Sequence, residues 1–215
     1  MSPWLAILLS FGYIFAMLGI AEGLRRQRGY SSDFTRKFIH IAVGMYSVIA
    51  ILIFEGREWA IVPPAAFIVI NFLDWKFGIL QAMTSSDRSN LGTVYFPLSF
   101  VVIIWLFWDR PALLVGGLMP MTWGDALAAV LGRRYGRRRY TVLGATRSLE
   151  GSLVMFGASA LTTWLALALL GAGNPLGLAL GTAAGATLAE AISPWGLDNL
   201  AVPAASALVL ALLAR

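Results

Sequence analysis

The sequence lacks the residue types on which many soluble enzymes and metalloproteins depend. It has no cysteine, which excludes disulfides, thiolate metal sites and cysteine nucleophiles. Its single histidine excludes a metal site built from several imidazoles. Charged residues make up only 13% of the chain, too few to cover the surface of a soluble domain, and the 12% aromatic content argues against disorder.

Apolar residues are abundant instead, since 59% of the 215 residues are hydrophobic and the mean hydropathy is +0.76. A transmembrane helix needs about 20 mostly apolar residues, so the chain predicts an all-α, polytopic membrane helix bundle that forms one integral membrane domain over residues 1–215. The candidate spans are residues 3–22, 37–54, 59–75, 93–108, 111–131, 151–170, 175–192 and 200–214. Seven spans are the alternative to eight, because Pro63, Pro64 and Asn71 interrupt the third and the last is short.

Basic residues are distributed unevenly between the two sets of loops. Thirteen of the 16 lie in the loops that follow the first, third and fifth spans, whereas Arg57, Arg110 and Arg215 lie on the opposite side. The positive-inside rule therefore predicts that the basic loops face the cytoplasm and that both termini lie outside. The pI of about 10.0 is then explained by topology and anionic lipid, so we expect no nucleic-acid partner.

Five carboxylates have no evident solvated role. Asp74, Asp125, Glu150, Glu190 and Asp198 all fall at or near the predicted cytoplasmic ends of spans. Ionisable residues at membrane depth are costly and are functional candidates by default. Because the topology gathers them beside the basic loops, the sequence predicts a polar pocket on the cytoplasmic side.

The second span opens with the segment Arg36-Lys37-Phe38-Ile39-His40. At helical spacing Arg36 and His40 share a face, and His40 lies three residues from Lys37. Two cations and an imidazole at an aqueous helix end suit a polyphosphate. The alternative, equally weighted, is a stop-transfer cluster with a histidine that is bonded to a backbone carbonyl.

The fifth span ends with a carboxylate that is followed by small residues and arginines. Asp125 and Gly132 are seven residues apart, so two helical turns bring them to one face and set the carboxylate about 10 Å below the interface. A buried carboxylate near a basic loop can hold a divalent metal that bridges nucleotide phosphates. The alternative is an internal ion pair with an arginine of a neighbouring helix. The metal role is favoured on the interpretation that the arginines are free for phosphate.

Two further segments complete the predicted pocket. Ser148 is a natural N-cap of the sixth span, with Glu150 in its first turn, and Gly151 and Ser152 could offer backbone N–H groups to an anion. Between the last two spans, Glu190, Asp198 and Asn199 bracket a Pro/Gly turn and form a polar cluster at membrane depth.

Four motifs in this order are more specific than any one of them. RKFIH, GDALAAVLGRRYG, RSLEGS and EAISPWGLDNLAVP cover residues 36–203 and resemble the family of dolichol kinase, phytol kinase and CTP-dependent diacylglycerol kinase. Arg147 departs from the family, which more often has lysine there, but a cation is retained. The resemblance implies phosphoryl transfer from CTP to the hydroxyl of a membrane lipid, with Mg²⁺, by a small member of prokaryotic type in a cell membrane.

The residues and the resemblance together give the following assignments. Asp125, Glu150 and His40 are catalytic candidates; Arg36, Lys37, Gly132, Arg147, Ser148, Gly151 and Ser152 are nucleotide-binding candidates; Asp125, Glu190 and Asp198 are metal ligands; Asn199 and Asp74 are further pocket residues. No Walker A pattern is present, so helix ends, arginines and carboxylates would have to bind the nucleotide. The five arginines within residues 133–139 are expected to hold the anionic leaflet rather than the nucleotide.

The lipid alcohol and three rival functions stay open. Phytol, geranylgeraniol, farnesol or a longer polyprenol is preferred because the compact chain is similar to the phytol-kinase branch. The enzyme rivals are a CTP-using diacylglycerol kinase and a CTP:phosphatidate cytidylyltransferase, the latter disfavoured because its late H-G-G…D-R element cannot exist when the one histidine is His40. The non-enzyme rival is a small-anion transporter, although its polar groups would be expected near the midplane.

Overall fold

The computed structural model describes residues 1–78 and 90–214, which form helices and one short hairpin. The elements are α1 (Pro3–Arg28), α2 (Ser32–Gly44), α3 (Tyr46–Ile53), α4 (Arg57–Ala60), α5 (Val62–Phe77), α6 (Gly92–Phe107), α7 (Pro111–Met119), a π-helical segment (Pro120–Asp125), α8 (Ala126–Tyr135), β1 (Arg139–Val142), β2 (Ala145–Ser148), α9 (Leu149–Leu169), α10 (Pro175–Ile192) and α11 (Asp198–Leu213). The predicted all-α membrane bundle is confirmed, with the hairpin as a small addition.

Six helical stretches in the described residues are long and apolar enough to cross a membrane. They are Pro3–Arg28, Ser32–Ile53, Arg57–Phe77, Pro111–Tyr135, Leu149–Leu169 and Pro175–Ile192, while α6 and α11 are shorter apolar helices. Each of the eight predicted spans overlaps one of these eight stretches. The prolines of the third span do not break it, because Pro63 and Pro64 occupy the first turn of α5, where a backbone N–H has no intrahelical partner.

The stretch Pro111–Tyr135 forms the centre of the bundle. Its most apolar window is 78% buried, against 22–39% for the other five long stretches. Leu114, Leu118 and Met121 are fully buried there, and Met155 of α9 belongs to the same core cluster. Asp125 is therefore carried into the middle of the protein by the helix that the others surround.

The loop between α8 and α9 contains a β-hairpin that the sequence interpretation missed. Arg139 pairs with Ser148, and Val142 pairs with Ala145. Leu143 and Gly144 both have positive φ, 48° and 83°, as the turn of a two-residue hairpin of type I′ requires. The hairpin fixes the last residues before α9, so it also fixes where Arg147 lies.

Candidate active site

A cavity of about 620 Å³ opens among the helices, and the positions of its lining residues along those helices divide it into two parts. The charged and imidazole side chains that line one part are Arg36, Lys37, His40, Asp125, Arg133, Arg139, Arg147, Glu190 and Asp198. The apolar side chains that line the other part include Ile14, Leu18, Val43, Tyr46, Phe67, Phe96 and Phe100. An apolar wall that leads to a charged end suits a ligand with a hydrocarbon tail and a reactive polar group.

The first cluster at the charged end joins α2 to the central helix. Lys37 Nζ donates to Asp125 Oδ2 at 2.5 Å, and His40 Nε2 lies 3.6 Å from the same oxygen. The three side chains are between 7% and 13% exposed. The sequence left open whether Asp125 binds a metal or forms an internal ion pair; the structure contains an ion pair, and its cation is a lysine rather than an arginine.

The geometry of His40 depends on the π-helical segment Pro120–Asp125. His40 Nε2 lies 2.8 Å from the carbonyl oxygen of Met121 within that segment. A carbonyl can only accept, so Nε2 carries the hydrogen and Nδ1 carries the lone pair. The carbonyl contact offered as the alternative for His40 is therefore present, but it leaves one ring nitrogen able to accept a proton.

The second cluster at the charged end is centred on Arg147 of β2. Its guanidinium pairs with Glu190 at the end of α10, and Nη2 donates to Asp198 Oδ2 of α11 at 3.2 Å. Nη2 also donates to the Ser193 carbonyl at 3.1 Å. Arg147 was interpreted as free for phosphate, but two carboxylates and a carbonyl hold its guanidinium.

The predicted N-cap and glycine positions pack α8 against α9. Ser148 Oγ accepts the backbone N–H of Gly151 at 3.1 Å, which confirms Ser148 as the N-cap. A Cβ at Gly132 would lie 3.0 Å from the Gly151 Cα, so the two helices touch backbone to backbone here. All three residues line the cavity, and their contact with a nucleotide stays a prediction.

Two other predicted nucleotide ligands line the cavity but are engaged elsewhere. Arg36 Nη2 donates to Asp33 Oδ1 at 3.1 Å, one turn earlier on α2. The Ser152 hydroxyl lies 2.6 Å from the Tyr140 hydroxyl of β1. Both partners are on the same side of the protein as the basic loops, so a ligand that entered there would meet these groups first.

Glu150 and Asp74 do not join the other predicted site residues around the cavity. The Glu150 carboxylate accepts the backbone N–H groups of Arg137 and Arg138 at 3.0 to 3.4 Å, and it thereby fixes the turn between α8 and β1. Asp74 is buried on α5 but is not among the lining residues. Glu150 lies in the first turn of α9, where a residue can face either side of the helix, and no pattern in the sequence decides between the two sides.

Asn71, Arg133 and Arg139 are among the lining residues that were not assigned to the site from the sequence. Asn71 was regarded only as an interruption of the third span, yet it lines the cavity from α5. Arg133 and Arg139 were grouped with the lipid-binding run, but both line the charged end, whereas Arg137 and Arg138 do not. The alternation of a β-strand would have separated Arg138 from Arg139, had the hairpin been recognised.

The carboxylates of the charged end have the chemistry to supply part of the coordination of a magnesium ion. No group of three or more His, Asp or Glu side chains in residues 1–78 and 90–214 is arranged to hold a metal by itself. Mg²⁺ in phosphoryl-transfer sites is commonly bound through one or two carboxylates plus the substrate phosphates. Asp125, Glu190 and Asp198 all line the cavity and can supply that smaller number of oxygens.

The fold and the cavity define a polytopic membrane protein with a charged pocket at the end of an apolar one. The chain is 37% identical to the phytol kinase of Synechocystis sp. over 96% of its own length and 90% of that protein. It is 24% identical to a probable chloroplastic phytol kinase of Triticum aestivum, over 97% and 76%, and 26% identical to phytol kinase 1 of Arabidopsis thaliana, over 67% and 51%. No protein-family model and no solved structure matches it.

The chain therefore belongs to the phytol kinase family. The predicted family is confirmed, and so is the prediction of a phosphotransferase enzyme.

Proposed function

We propose that this protein transfers the γ-phosphoryl group of CTP to the hydroxyl of an isoprenoid alcohol, phytol or a close relative, at the membrane face that carries the basic loops. The observation that carries the proposal is the two-part cavity, with an apolar wall and a charged end in one space. The alcohol of a membrane lipid and a soluble nucleotide have to meet at such a boundary.

The apolar part suits a branched hydrocarbon tail. Phe67 and Phe100 line it from α5 and α6, and Tyr46 lines it from α3 with its hydroxyl bonded to the Ala60 carbonyl at 2.7 Å. The Tyr46 hydroxyl is thus satisfied by the protein, so the ring presents apolar surface to the cavity. The name of the Synechocystis relative, 37% identical, supports phytol as the first alcohol to test.

The charged part suits a triphosphate. Lys37 pairs with one carboxylate, and Arg147 pairs with two. Phosphate oxygens compete with carboxylates for such cations, and a guanidinium can bind them through two parallel hydrogen bonds. Arg139 and Arg133 line the same end and add positive charge where the nucleotide enters.

His40 is the residue we propose as the proton acceptor. Its Nε2 is held by the Met121 carbonyl, and its ring packs on Phe96 with centroids 4.4 Å apart. Both contacts fix the ring, and Nδ1 keeps a lone pair for the hydroxyl proton of the alcohol. Asp125, 3.6 Å from Nε2, stabilises the imidazolium that results.

Mg²⁺ that enters with CTP would neutralise part of the phosphate charge, with Asp125, Glu190 and Asp198 as the candidate oxygen ligands. The protein's own contribution is positioning and charge, which supply most of the catalysis in phosphoryl transfer. The 13-to-3 bias of basic residues supports an active site on the cytoplasmic face of a cell membrane.

The test is a radiolabel experiment on the purified protein in lipid nanodiscs with Mg²⁺ and phytol. Label from γ-labelled CTP should appear in phytyl monophosphate, and Asp125→Asn should give none. The Thr182→Val variant is the matched control, because Thr182 is buried in α10, bonds within its own helix and does not line the cavity.

Each rival gives a different result in the same assay. Transfer to diacylglycerol but not to phytol would indicate a diacylglycerol kinase, and label from α-labelled CTP in lipid would indicate a cytidylyltransferase. If ATP were used as readily as CTP, the proposal that CTP is the specific phosphoryl donor would be refuted. Absence of turnover with every alcohol and nucleotide would refute the kinase and leave the anion transporter.

A further inference from the structure

The Asn71 side chain on α5 has a polar atom without a hydrogen-bond partner among the residues that the structure describes. The residue is 5% exposed and lines the cavity. Its Nδ2 donates to the Thr93 carbonyl at 2.7 Å, but its buried Oδ1 accepts no hydrogen bond from residues 1–78 or 90–214. Buried carbonyl oxygens are nearly always hydrogen-bonded, so this acceptor is available to a donor group of a ligand in the cavity that Asn71 lines.

The orientation of the Asn71 amide follows from chemistry. If the amide were rotated by half a turn, Oδ1 would face the Thr93 carbonyl and two acceptors would meet. The nitrogen is therefore held by α6, and the oxygen is the atom left to receive a hydrogen.

Asn71 lies where the apolar wall meets the charged end. Phe67, one turn earlier on α5, lines the apolar part. Asn71 contacts Thr93 of α6, and Phe96, one turn further along α6, packs on the His40 ring. Consecutive turns of a single helix thus connect the Asn71 amide to the imidazole.

The depths of these groups along their helices agree. Asn71 is six residues from the end of α5 at Phe77, and His40 is eight residues from the start of α2 at Ser32. At 1.5 Å per residue these positions are about 9 Å and about 12 Å from the helix ends on the basic side. A hydroxyl that reaches His40 therefore reaches the layer of Asn71.

We propose that Asn71 Oδ1 accepts the hydroxyl hydrogen of the lipid alcohol, so that Asn71 is a positioning residue that sets how far the alcohol enters. This inference rests on the proposed function. An alcohol offers one donor hydrogen, whereas the esterified oxygen of the product has none. The hydrogen bond is therefore lost on transfer, and Asn71 favours the alcohol over its phosphate. With the nucleotide bound, rotation about the C–O bond turns the hydrogen towards His40.

The test measures binding without nucleotide, in nanodiscs, for phytol and for its methyl ether, which keeps the tail and loses the donor. Wild-type protein should bind phytol about tenfold more tightly than the ether, the equivalent of one hydrogen bond. In Asn71→Leu the ratio should fall to about one, with the ether affinity unchanged. Thr182→Val should keep the wild-type ratio, because Thr182 is buried but not at the cavity.

Several results would overturn the inference. A ratio near one in the wild type would do so without any variant, so the inference remains testable even if Asn71→Leu does not fold. An Asn71→Leu protein that keeps the tenfold ratio would refute it, as would an equal loss of alcohol and ether, since that reports a structural role. In turnover assays, Asn71→Leu should raise the KM for phytol about tenfold, while its KM for CTP should stay within about twofold of the wild-type value.

This inference and the proposed function fail in distinguishable ways. Binding is measured without CTP, so a protein that discriminates phytol from its ether but transfers no phosphate would refute the kinase alone. A protein that phosphorylates phytol yet binds phytol and ether equally would refute the role of Asn71 alone.

Discussion

The two ion-pair clusters at the charged end differ in the balance of their charges. In the first, Lys37 is matched by Asp125, with His40 beside it. In the second, among the described residues, one cation, Arg147, pairs with both Glu190 and Asp198. The first cluster is balanced and joins two helices directly, whereas the second has one more carboxylate than cation and links a hairpin to the turn between two helices.

This difference assigns different tasks to the two clusters. A balanced, buried pair is suited to hold His40 and its neighbours in place before any ligand arrives. A cluster with surplus carboxylate is suited to accept further positive charge, such as the magnesium ion of a nucleotide complex. The sequence predicts Asp125 as the principal metal ligand, whereas the charge balance favours Glu190 and Asp198. The variants below test which of these carboxylates bind the metal.

The largest effect is expected for Asp125→Asn, which breaks the balanced cluster. It should lower kcat by about a thousandfold or more, because the imidazolium of His40 loses its counter-charge. It should also destabilise the protein, since breaking a buried pair by removing one partner costs about 3–5 kcal/mol. Thermal unfolding in nanodiscs and turnover with labelled CTP measure the two effects.

The double variant Lys37→Met, Asp125→Asn distinguishes the loss of catalysis from the loss of stability. It leaves no unpaired charge, so the unfolding temperature should return towards the wild-type value while turnover stays absent. Recovery of activity in the double variant would contradict a catalytic role for Asp125.

The next effect is expected for Arg147→Ala in the second cluster. The KM for CTP should rise about 10- to 100-fold, because hydrogen bonds to a charged group contribute about 1.5–3 kcal/mol. Arg147→Lys keeps the cation and should retain most of the activity, which makes it the matched control. Equal losses in both variants would show that the guanidinium fork, rather than the charge, is required.

Glu190→Gln tests where the metal binds. It removes the surplus carboxylate and should raise the Mg²⁺ concentration for half-maximal activity about tenfold, with kcat restored at high Mg²⁺. The measurement is a magnesium titration of initial rates with saturating CTP. An unchanged magnesium requirement would return the metal to Asp125, as the sequence predicted.

A smaller effect is expected from neighbouring arginines that differ only in position. Arg139→Ala should raise the KM for CTP about three- to tenfold, because Arg139 lines the cavity. Arg138→Ala, one residue away and outside the lining, should stay within about twofold of the wild type. Equal effects would indicate that the run acts as a diffuse charge at the lipid surface.

The smallest effect is expected for Glu150→Gln. The residue was predicted to support catalysis, but its carboxylate accepts backbone N–H groups of Arg137 and Arg138 beside the cavity. A glutamine oxygen can still accept a hydrogen, so kcat/KM should fall less than about threefold. Added Mg²⁺ should not restore the loss; a magnesium-dependent recovery would place Glu150 back at the metal.

The sequence was sufficient for the membrane bundle and for most of the polar residues that line the cavity. Span positions depend on local hydropathy, and helix ends depend on local caps such as Ser148, so both can be predicted from a single sequence. The topology then brings distant carboxylates to one side without any knowledge of their contacts.

The partners of those residues could not be read in the same way. Lys37 and Asp125 are 88 positions apart, and their contact depends on how α2 packs against the central helix. The hairpin was missed because Arg139 was judged by its neighbours' charge instead of by the β-branched and aromatic residues that follow it. That Asn71 Oδ1 has no hydrogen-bond partner among the described residues depends on tertiary packing, which a local sequence pattern does not predict.

The π-helical segment Pro120–Asp125 determines how α8 is rotated relative to α7 within the central helix. Its wider turn accommodates one residue more than an α-helix would, and one residue corresponds to about 100° of rotation around the axis. If the same residues ran as a regular α-helix, α8 would be turned by that angle relative to α7. Asp125 would then point away from Lys37, while Leu114 and Leu118 kept their places. The segment therefore sets the angle between α7 and α8, so that Leu114 and Leu118 face the core while Asp125 faces Lys37.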